Sequence, residues 1–154
     1  MEQAQPVGHS VIEVNSREDL QAVLNTNAGS GKTLFLRAGE YRLKQSLTIP
    51  SDIHICGEGR STVLICEPTI RTAAILLGDL DAKNITIENL VVDGSKEHQE
   101  AYDPNSGRFY RTGRYSNALA GISMRGEAGH AFSNIKLKNL TVINFSRSGV
   151  YISD

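Results

Sequence analysis

The nine-residue stretch Asn84-Ile-Thr-Ile-Glu-Asn-Leu-Val-Val92 decides the fold, because it recurs 50 residues later as Asn134-Ile-Lys-Leu-Lys-Asn-Leu-Thr-Val142. In both copies, apolar residues alternate with polar ones up to a central asparagine, which is typical of a strand with one buried face. A weaker copy, Asp52-Ile-His-Ile-Cys-Gly57, comes earlier in the chain. Recurrence of this kind predicts stacked repeats of β-structure.

Each copy is predicted to turn a corner after its first strand. Aligning the three copies on their isoleucines places Gly57, Asn89 and Asn139 at one position. Glycine and asparagine are the residues that best tolerate a left-handed backbone. We therefore expect a sharp one-residue corner at each of these positions, followed by a second strand.

A further strand is predicted upstream of each corner, at residues 47–49, 75–77, 122–124 and 150–152. Their first residues are 28, 47 and 28 positions apart, so the middle repeat carries about 19 additional residues. Residues 95–117 hold glycine, proline, asparagine and many charges without apolar alternation. That composition is typical of a loop, and we expect the insertion there.

Length and composition limit the function classes. The chain of 154 residues is 40% hydrophobic, which is enough to bury the core of one domain. Its net charge of -1 gives no electrostatic basis for binding nucleic acid or an anionic membrane. Cys56 and Cys66 are expected to be small buried thiols, although they could also meet on adjacent strands.

The N-terminal segment, residues 1–31, is predicted to form a strand and a helical cap. Residues 11–14 have the composition of a strand, and Ser16 is expected to cap a helix with Asp19 as the capping-box acid. Apolar side chains on one face of that helix would cover the first repeat, since stacks of repeats need a capped end.

Two patterns carry a resemblance to a known family: L-x-L-x-x-G-x-Y-x-L at 34–43 and L-x-I-P-S-x-I-x-I-x-G-x-G at 47–59. They resemble the opening of the pectate-lyase-like right-handed parallel β-helix proteins, and the asparagine copies resemble later coils. The resemblance implies an all-β, right-handed parallel β-helix of three sheets and about four coils with a short N-terminal capping helix. It also implies an asparagine ladder through the Gly57, Asn89 and Asn139 corner.

The same resemblance implies that residues 1–154 form a single β-helix domain that is incomplete at its C-terminus. An uncovered last rung would then allow self-association. The family implies an extracellular or cell-surface location, although residues 1–6 lack the basic and apolar regions of a secretory signal.

The family resemblance also suggests the function: a polysaccharide lies along the outer face of the first sheet, and lyase-like β-elimination is the expected reaction. Hydrolases and epimerases share the fold, so they are less expected alternatives. A non-catalytic glycan-binding or tailspike-type stem remains open, as does an inactive fragment of a larger protein.

Outward positions on the first sheet hold the candidate catalytic residues. Thr48, Leu76, Ser123 and Tyr151 are expected to form one outward column. Neighbouring columns would set Arg125 between Asp79 and Asp154, close to Tyr151. Three residues of the following turns, Asp81, Glu127 and His130, add to the polar character of this surface.

Each of these candidates has a possible role. Arg125 could grip a uronate carboxylate, and Tyr151 could transfer a proton if the neighbouring cation favours its ionised form. Asp154 is a further catalytic candidate, and Asp79 with Asp154 could hold Ca²⁺. A simple surface ion pair between Arg125 and the two aspartates is the alternative.

The insertion supplies the candidate substrate-binding residues, because it holds three of the five tyrosines. Tyrosine rings stack on sugars and arginine side chains grip carboxylates. The six candidates are Tyr102, Arg108, Tyr110, Arg111, Arg114 and Tyr115. A loop that simply packs on the stack remains the alternative.

Asp93-Gly94 resembles the dipeptide that closes a coil in mannuronan C5-epimerases. Those enzymes carry a histidine in the next strand of the first sheet, whereas residues 148–154 contain none. His98 or His130 would have to replace it, so epimerase activity is not expected. Asp93 is then either a catalytic acid or a turn-forming residue.

Overall fold

The computed structural model describes residues 10–95, 100–103, 105–111 and 118–153, and only the backbone within 100–103 and 108–111. Those residues form one α-helix, a short 3-10 turn, two parallel sheets and one antiparallel hairpin. The elements are β1 (Val11–Val14), α1 (Leu20–Thr26), β2 (Thr33–Leu36), β3 (Gly39–Leu43), β4 (Leu47–Ile49), β5 (Ile53–Gly57), β6 (Thr62–Cys66), β7 (Ala73–Leu77), β8 (Lys83–Asp93), β9 (Glu100–Asp103), β10 (Arg108–Arg111), β11 (Ala120–Arg125), β12 (Ser133–Ile143) and β13 (Ser148–Ser153).

The first sheet has the strand order β13-β11-β7-β4, and all of its pairings are parallel. Its register confirms the predicted columns. Leu47 pairs with Ile75, Ile75 with Ile122 and Ile122 with Val150. The outward column runs Thr48, Leu76, Ser123 and Tyr151. A shift of the strand pairing by one residue would have turned the apolar side chains to the outer face of the sheet. The apolar pattern therefore fixes the register.

The long strands β8 and β12 each contribute to two further faces. Their first halves belong to one face, and their second halves belong to another together with β3 and β6. The first half of β8 pairs with β5 and its second half pairs with β6. The change of partner falls at Asn89, whose φ of 56° is left-handed, and Asn139 in β12 has a φ of 50°. These two predicted corners are confirmed. We call the face formed by β1, β2, β5 and the first halves of β8 and β12 the second sheet.

The predicted left-handed corner at Gly57 is wrong. Gly57 has no positive φ, and four residues that include a 3-10 turn at Gly59–Ser61 separate β5 from β6. A Cβ atom at Gly57 would lie 2.5 Å from the carbonyl oxygen of Asn89. Glycine is therefore needed here for the close approach of two backbones and not for its conformational freedom.

The asparagine ladder lies one corner earlier than predicted. Asp52, Asn84 and Asn134 all have left-handed φ angles, of 56°, 54° and 52°. The Asn84 amide Nδ2 donates to Asp52 Oδ1 at 2.7 Å, and Asn134 Nδ2 donates to Asn84 Oδ1 at 2.9 Å. Asn89 instead donates to Cys56 Sγ and to Glu88.

The core consists of inward aliphatic columns, as the alternation predicts. Ile53, Ile85 and Ile135 pair in register on successive strands, and the first two are almost wholly buried. Burying such a side chain contributes about 1.5–3 kcal/mol. The Cys66 side chain is buried, as predicted, whereas Cys56 is half-buried on the outer side of β5.

The helix begins later than predicted. Asp19, and not Ser16, is its N-cap, and its side chain accepts from the backbone N–H of Ala22 at 3.1 Å. A turn closed by Asn15 and Glu18 occupies the segment where the helix was expected to start. The Gln21 side chain donates to the carbonyl of Thr48 and accepts from its N–H, at 3.0 and 2.8 Å. The Gln21 side chain thereby provides hydrogen-bond partners for backbone groups of β4, which is an edge strand of the first sheet.

The insertion falls where it was predicted, between β8 and β11, but it is not only loop. Its described part contains an antiparallel hairpin in which β9 pairs with β10, with Phe109 opposite Tyr102. The prediction relied on the absence of apolar alternation, and a polar hairpin lacks that signal. No helix in the described segments has both the length and the apolar character needed to cross a membrane.

Candidate functional site

A groove of about 300 Å³ lies on the outer face of the first sheet. It runs along β7, β11 and β13 and over the chain segments that enter these strands. The residues that line it are Thr72, Ala73, Leu76, Leu119, Ala120, Ser123, Arg125, Arg147, Ser148 and Tyr151.

Strand alternation positions the floor of the groove. Leu76, Ser123 and Tyr151 are paired on adjacent strands, so their side chains form one outward row. Arg125 lies two residues beyond Ser123 on the same face of β11. The structure therefore brings Arg125 and Tyr151 together, as predicted.

Arg125 and Tyr151 are in direct cation–π contact. The guanidinium carbon Cζ lies 5.8 Å from the centre of the tyrosine ring. A contact of this kind at an exposed site contributes about 0.5–1 kcal/mol and orients both groups. Tyr151 is 37% exposed, so a face or edge of the ring and its hydroxyl can still meet a ligand.

Arg147 is a lining residue that the sequence analysis missed. It immediately precedes β13, and its backbone N–H donates to the carbonyl of Leu119 at 3.0 Å. The available signal was its place at the end of the segment that enters a first-sheet strand, where its side chain borders the outward row.

The groove has a cationic character. It is lined by two guanidiniums and by no carboxylate of the described residues. Within the described part of the chain, neither Arg125 nor Arg147 forms an ion pair with an acidic side chain. The groove is therefore a candidate site for an anionic ligand.

Asp79 does not line this groove. Its Oδ2 atom accepts from the backbone N–H and the hydroxyl of Ser51, at 3.2 and 2.9 Å, on the neighbouring turn of the chain. Its observed partner is thus Ser51 and not Arg125. Asp154, the other aspartate predicted beside Arg125, lies outside the described residues.

Asp81 and His130 join two successive turns away from the groove lining. His130 Nδ1 lies 2.9 Å from Asp81 Oδ2, and the N–H of Ala131 donates to Oδ1 at 3.0 Å. The hydrogen bond from His130, aided by that from Ala131, lowers the pKa of Asp81. Glu127 accepts the backbone N–H of His130 through its own carbonyl, which closes the turn.

Asp93 makes the contacts of a turn-forming residue. Its Oδ1 atom accepts from the N–H of Ser95 and from the Asn144 side chain, both at 2.8 Å. These bonds close one corner and join it to the next turn of the chain. His98 lies outside the described residues.

The predicted substrate-binding residues of the insertion are not placed. Arg114 and Tyr115 lie outside the described residues. Only the backbone is described for the other four, Tyr102, Arg108, Tyr110 and Arg111. Their contact with a ligand stays a prediction.

Comparison with known proteins does not assign the chain to a family. No protein-family model matches the chain, and no curated protein matches it.

Proposed function

We propose that this chain is a right-handed parallel β-helix domain of the pectate-lyase-like kind whose first-sheet groove acts on an acidic polysaccharide. Three features support this fold proposal. Parallel strands pair from one turn of the chain to the next, β8 and β12 change faces at a single left-handed asparagine, and hydrogen-bonded asparagines stack at a second corner. An extracellular or cell-surface location goes with this proposal.

The observation that carries the functional proposal is that the groove is lined by an aromatic ring and by two arginines that form no ion pair with an acidic side chain of the described residues. Arg125 and Arg147 offer planar donors that match the geometry of a carboxylate. Tyr151 and Leu76 offer an apolar surface for the face of a sugar ring. A chain of uronic acids presents both features at regular intervals, so it suits the groove better than a neutral glycan does.

The groove can be related to β-elimination step by step. A base removes the proton from C5 of a uronate, the C4–O glycosidic bond breaks, and a C4=C5 double bond forms. The departing oxygen takes up a proton. Arg125 would hold the C6 carboxylate and stabilise the charge that develops on it. Tyr151, whose ring contacts Arg125 and which is the tyrosine of the described lining, is the candidate for proton transfer.

The described residues do not fit a Ca²⁺ site in this groove. Calcium takes 6–8 oxygen ligands, whereas the described lining offers no carboxylate. Asp79 already accepts two hydrogen bonds from Ser51. The proposed roles in the elimination are therefore assigned to Arg125 and Tyr151.

Glycan binding without turnover is the second candidate function. The observation that favours it is that the lining holds no carboxylate, histidine or lysine of the described residues that could act as a conventional base. A stem-like protein would then use the two arginines and the tyrosine for recognition only.

One experiment separates these functions. The chain is incubated with polygalacturonate and alginate, and the ultraviolet absorbance of the unsaturated uronate product is followed beside binding by affinity electrophoresis. We expect binding and product formation by the wild type. Arg125→Gln and Arg147→Gln should each weaken binding by about tenfold or more, because a hydrogen bond to a charged group contributes about 1.5–3 kcal/mol. Tyr151→Phe should retain binding and lose product formation.

Arg42→Gln is the matched control, because Arg42 is an exposed arginine on β3, away from the groove. It should leave binding unchanged. Binding without product in the wild type would select the second candidate function. Absence of binding, or equal losses in Arg42→Gln and Arg125→Gln, would overturn the assignment of the groove.

A further inference from the structure

His54, Cys56 and Glu88 form a cluster on the outer face of the second sheet, away from the groove. His54 and Cys56 are two positions apart on β5, so both side chains point outward. Glu88 pairs directly with Cys56 on the adjacent strand β8. One ligand-type atom from each residue lies within 4.8 Å of the other two, and His54 Nε2 is 3.1 Å from Glu88 Oε2.

We propose that this cluster is a binding site for a divalent transition-metal ion of the Zn²⁺ class. A thiolate, an imidazole and a carboxylate are the three side-chain ligands that Zn²⁺ uses, and hard cations such as Ca²⁺ do not take the first two. Bond lengths of about 2.0–2.3 Å in tetrahedral geometry place ligand atoms about 3.3–3.8 Å apart. His54 Nε2 and Glu88 Oε2 are 3.1 Å apart, and all three ligand atoms lie within 4.8 Å of one another, so rotation of the side chains would have to bring them to this spacing.

Neighbouring groups hold the ligands in place. Thr33, which is buried, has its hydroxyl 3.2 Å from His54 Nδ1, on the far side of the ring from Glu88. A hydrogen bond at the second ring nitrogen is the usual means of orienting a metal-binding histidine. Asn89 donates to Cys56 Sγ at 3.6 Å and to Glu88 Oε1 at 3.3 Å. The left-handed corner at Asn89 thus also positions two ligands.

The cluster offers two groups that can carry negative charge, the Cys56 thiol and the Glu88 carboxylate, and one neighbouring ammonium group competes with a metal ion for the carboxylate. The carboxylate of Glu88 is 3.9 Å from Lys138 Nζ, and the side chain of Lys138 is mostly exposed. A divalent ion would take the place of the thiol proton and neutralise both the thiolate and the carboxylate. Three protein ligands leave the fourth tetrahedral position to water or to an anion on the exposed side.

The test uses the full chain, stripped of metal with a chelator. Zn²⁺ is titrated by calorimetry, and Co²⁺ is titrated while its thiolate charge-transfer absorption is recorded. We expect one ion per chain, with the Co²⁺ band present. Cys56→Ser should abolish the band, and His54→Asn and Glu88→Gln should each weaken Zn²⁺ binding by about tenfold or more.

Two matched controls are available in the same chain. His130→Asn removes a histidine that also contacts a carboxylate but has no thiol beside it in the described structure, and Cys66→Ala removes the other cysteine. Neither should change Zn²⁺ affinity. Circular dichroism shows that each variant is folded before titration. Lack of 1:1 binding, or a Co²⁺ band that survives Cys56→Ser and disappears in Cys66→Ala, would overturn the proposal without affecting the groove.

Discussion

On the first sheet, the outward row of Leu76, Ser123 and Tyr151 lies beside two arginines, whereas the outward positions of β5 and β8 on the second sheet carry His54, Cys56 and Glu88. Both faces come from the same alternation along parallel strands. Inward positions must be aliphatic to fill the core, but outward positions carry no such requirement. The two proposed faces, one for anions and one for cations, can therefore share one scaffold.

Removing both groove arginines should have the largest effect and should be confined to one face. Arg125→Gln combined with Arg147→Gln is expected to lower polygalacturonate affinity by at least about 100-fold, since two charged contacts of about 1.5 kcal/mol or more are lost. Zn²⁺ affinity should not change. Calorimetry with each ligand measures both quantities. A parallel loss of both affinities would show that the two faces are not independent.

Gly57→Ala tests the scaffold that the two faces share. The added Cβ would meet the carbonyl of Asn89 at 2.5 Å, so we expect a loss of about 2–3 kcal/mol in the free energy of unfolding. The control is Gly59→Ala, because Gly59 has free space around it and a φ of 73°, and it should cost about 1 kcal/mol. Urea denaturation gives the comparison. Equal losses would contradict the close-approach explanation.

Lys138→Gln should raise the Zn²⁺ affinity of the second sheet and leave polygalacturonate binding by the first sheet unchanged. Removing the ammonium group that lies 3.9 Å from Glu88 frees the carboxylate for a cation. The pair is partly exposed, so the gain is expected to be about threefold in Zn²⁺ affinity, in line with exposed pairs of about 0.2–1 kcal/mol. Lys136→Gln, on the same strand, is the control. Weaker Zn²⁺ binding in Lys138→Gln would contradict the proposed competition.

The smallest effect is expected at Asp81, which lies outside both faces. Its pKa is lowered in the folded chain, so its contacts stabilise the fold above the ordinary carboxyl pKa and are lost as the pH falls through the lowered value. Asp81→Asn should therefore lower the melting temperature slightly at neutral pH, and the difference should vanish in strong acid. A difference that persists in acid would show that hydrogen bonding, and not charge, carries the effect.

Much of the fold could be predicted from repetition. The registers that align Leu47, Ile75, Ile122 and Val150 and that align Thr48, Leu76, Ser123 and Tyr151 are observed as predicted, because a shift by one residue would exchange the two faces of a strand. The burial alternation does not extend to β13, where Val150 is 42% exposed. The Gly57 corner could not be predicted in the same way. Four additional residues follow it, and glycine serves both left-handed turns and close approaches, which one sequence does not distinguish.

Less of the candidate site than of the fold could be predicted. Contacts between side chains of different strands and turns depend on where each side chain points, and strand alternation gives this only within the strands. The pairing of Arg125 with Tyr151 followed from the register, but the preference of Asp79 for Ser51 did not. Both partners in that bond lie in turns, where alternation gives no guidance. Arg147 was missed for the same reason, and the His54, Cys56 and Glu88 cluster requires knowledge of which strands are neighbours.

The most direct test of the central claim compares polygalacturonate with its fully methyl-esterified form, which keeps the sugar rings and removes the negative charges. If Arg125 and Arg147 bind carboxylates, the dissociation constant measured by calorimetry at low salt should be at least about tenfold lower for the acid form. Equal affinity for the two polymers, or binding of the ester alone, would contradict an anion-binding groove on the first sheet.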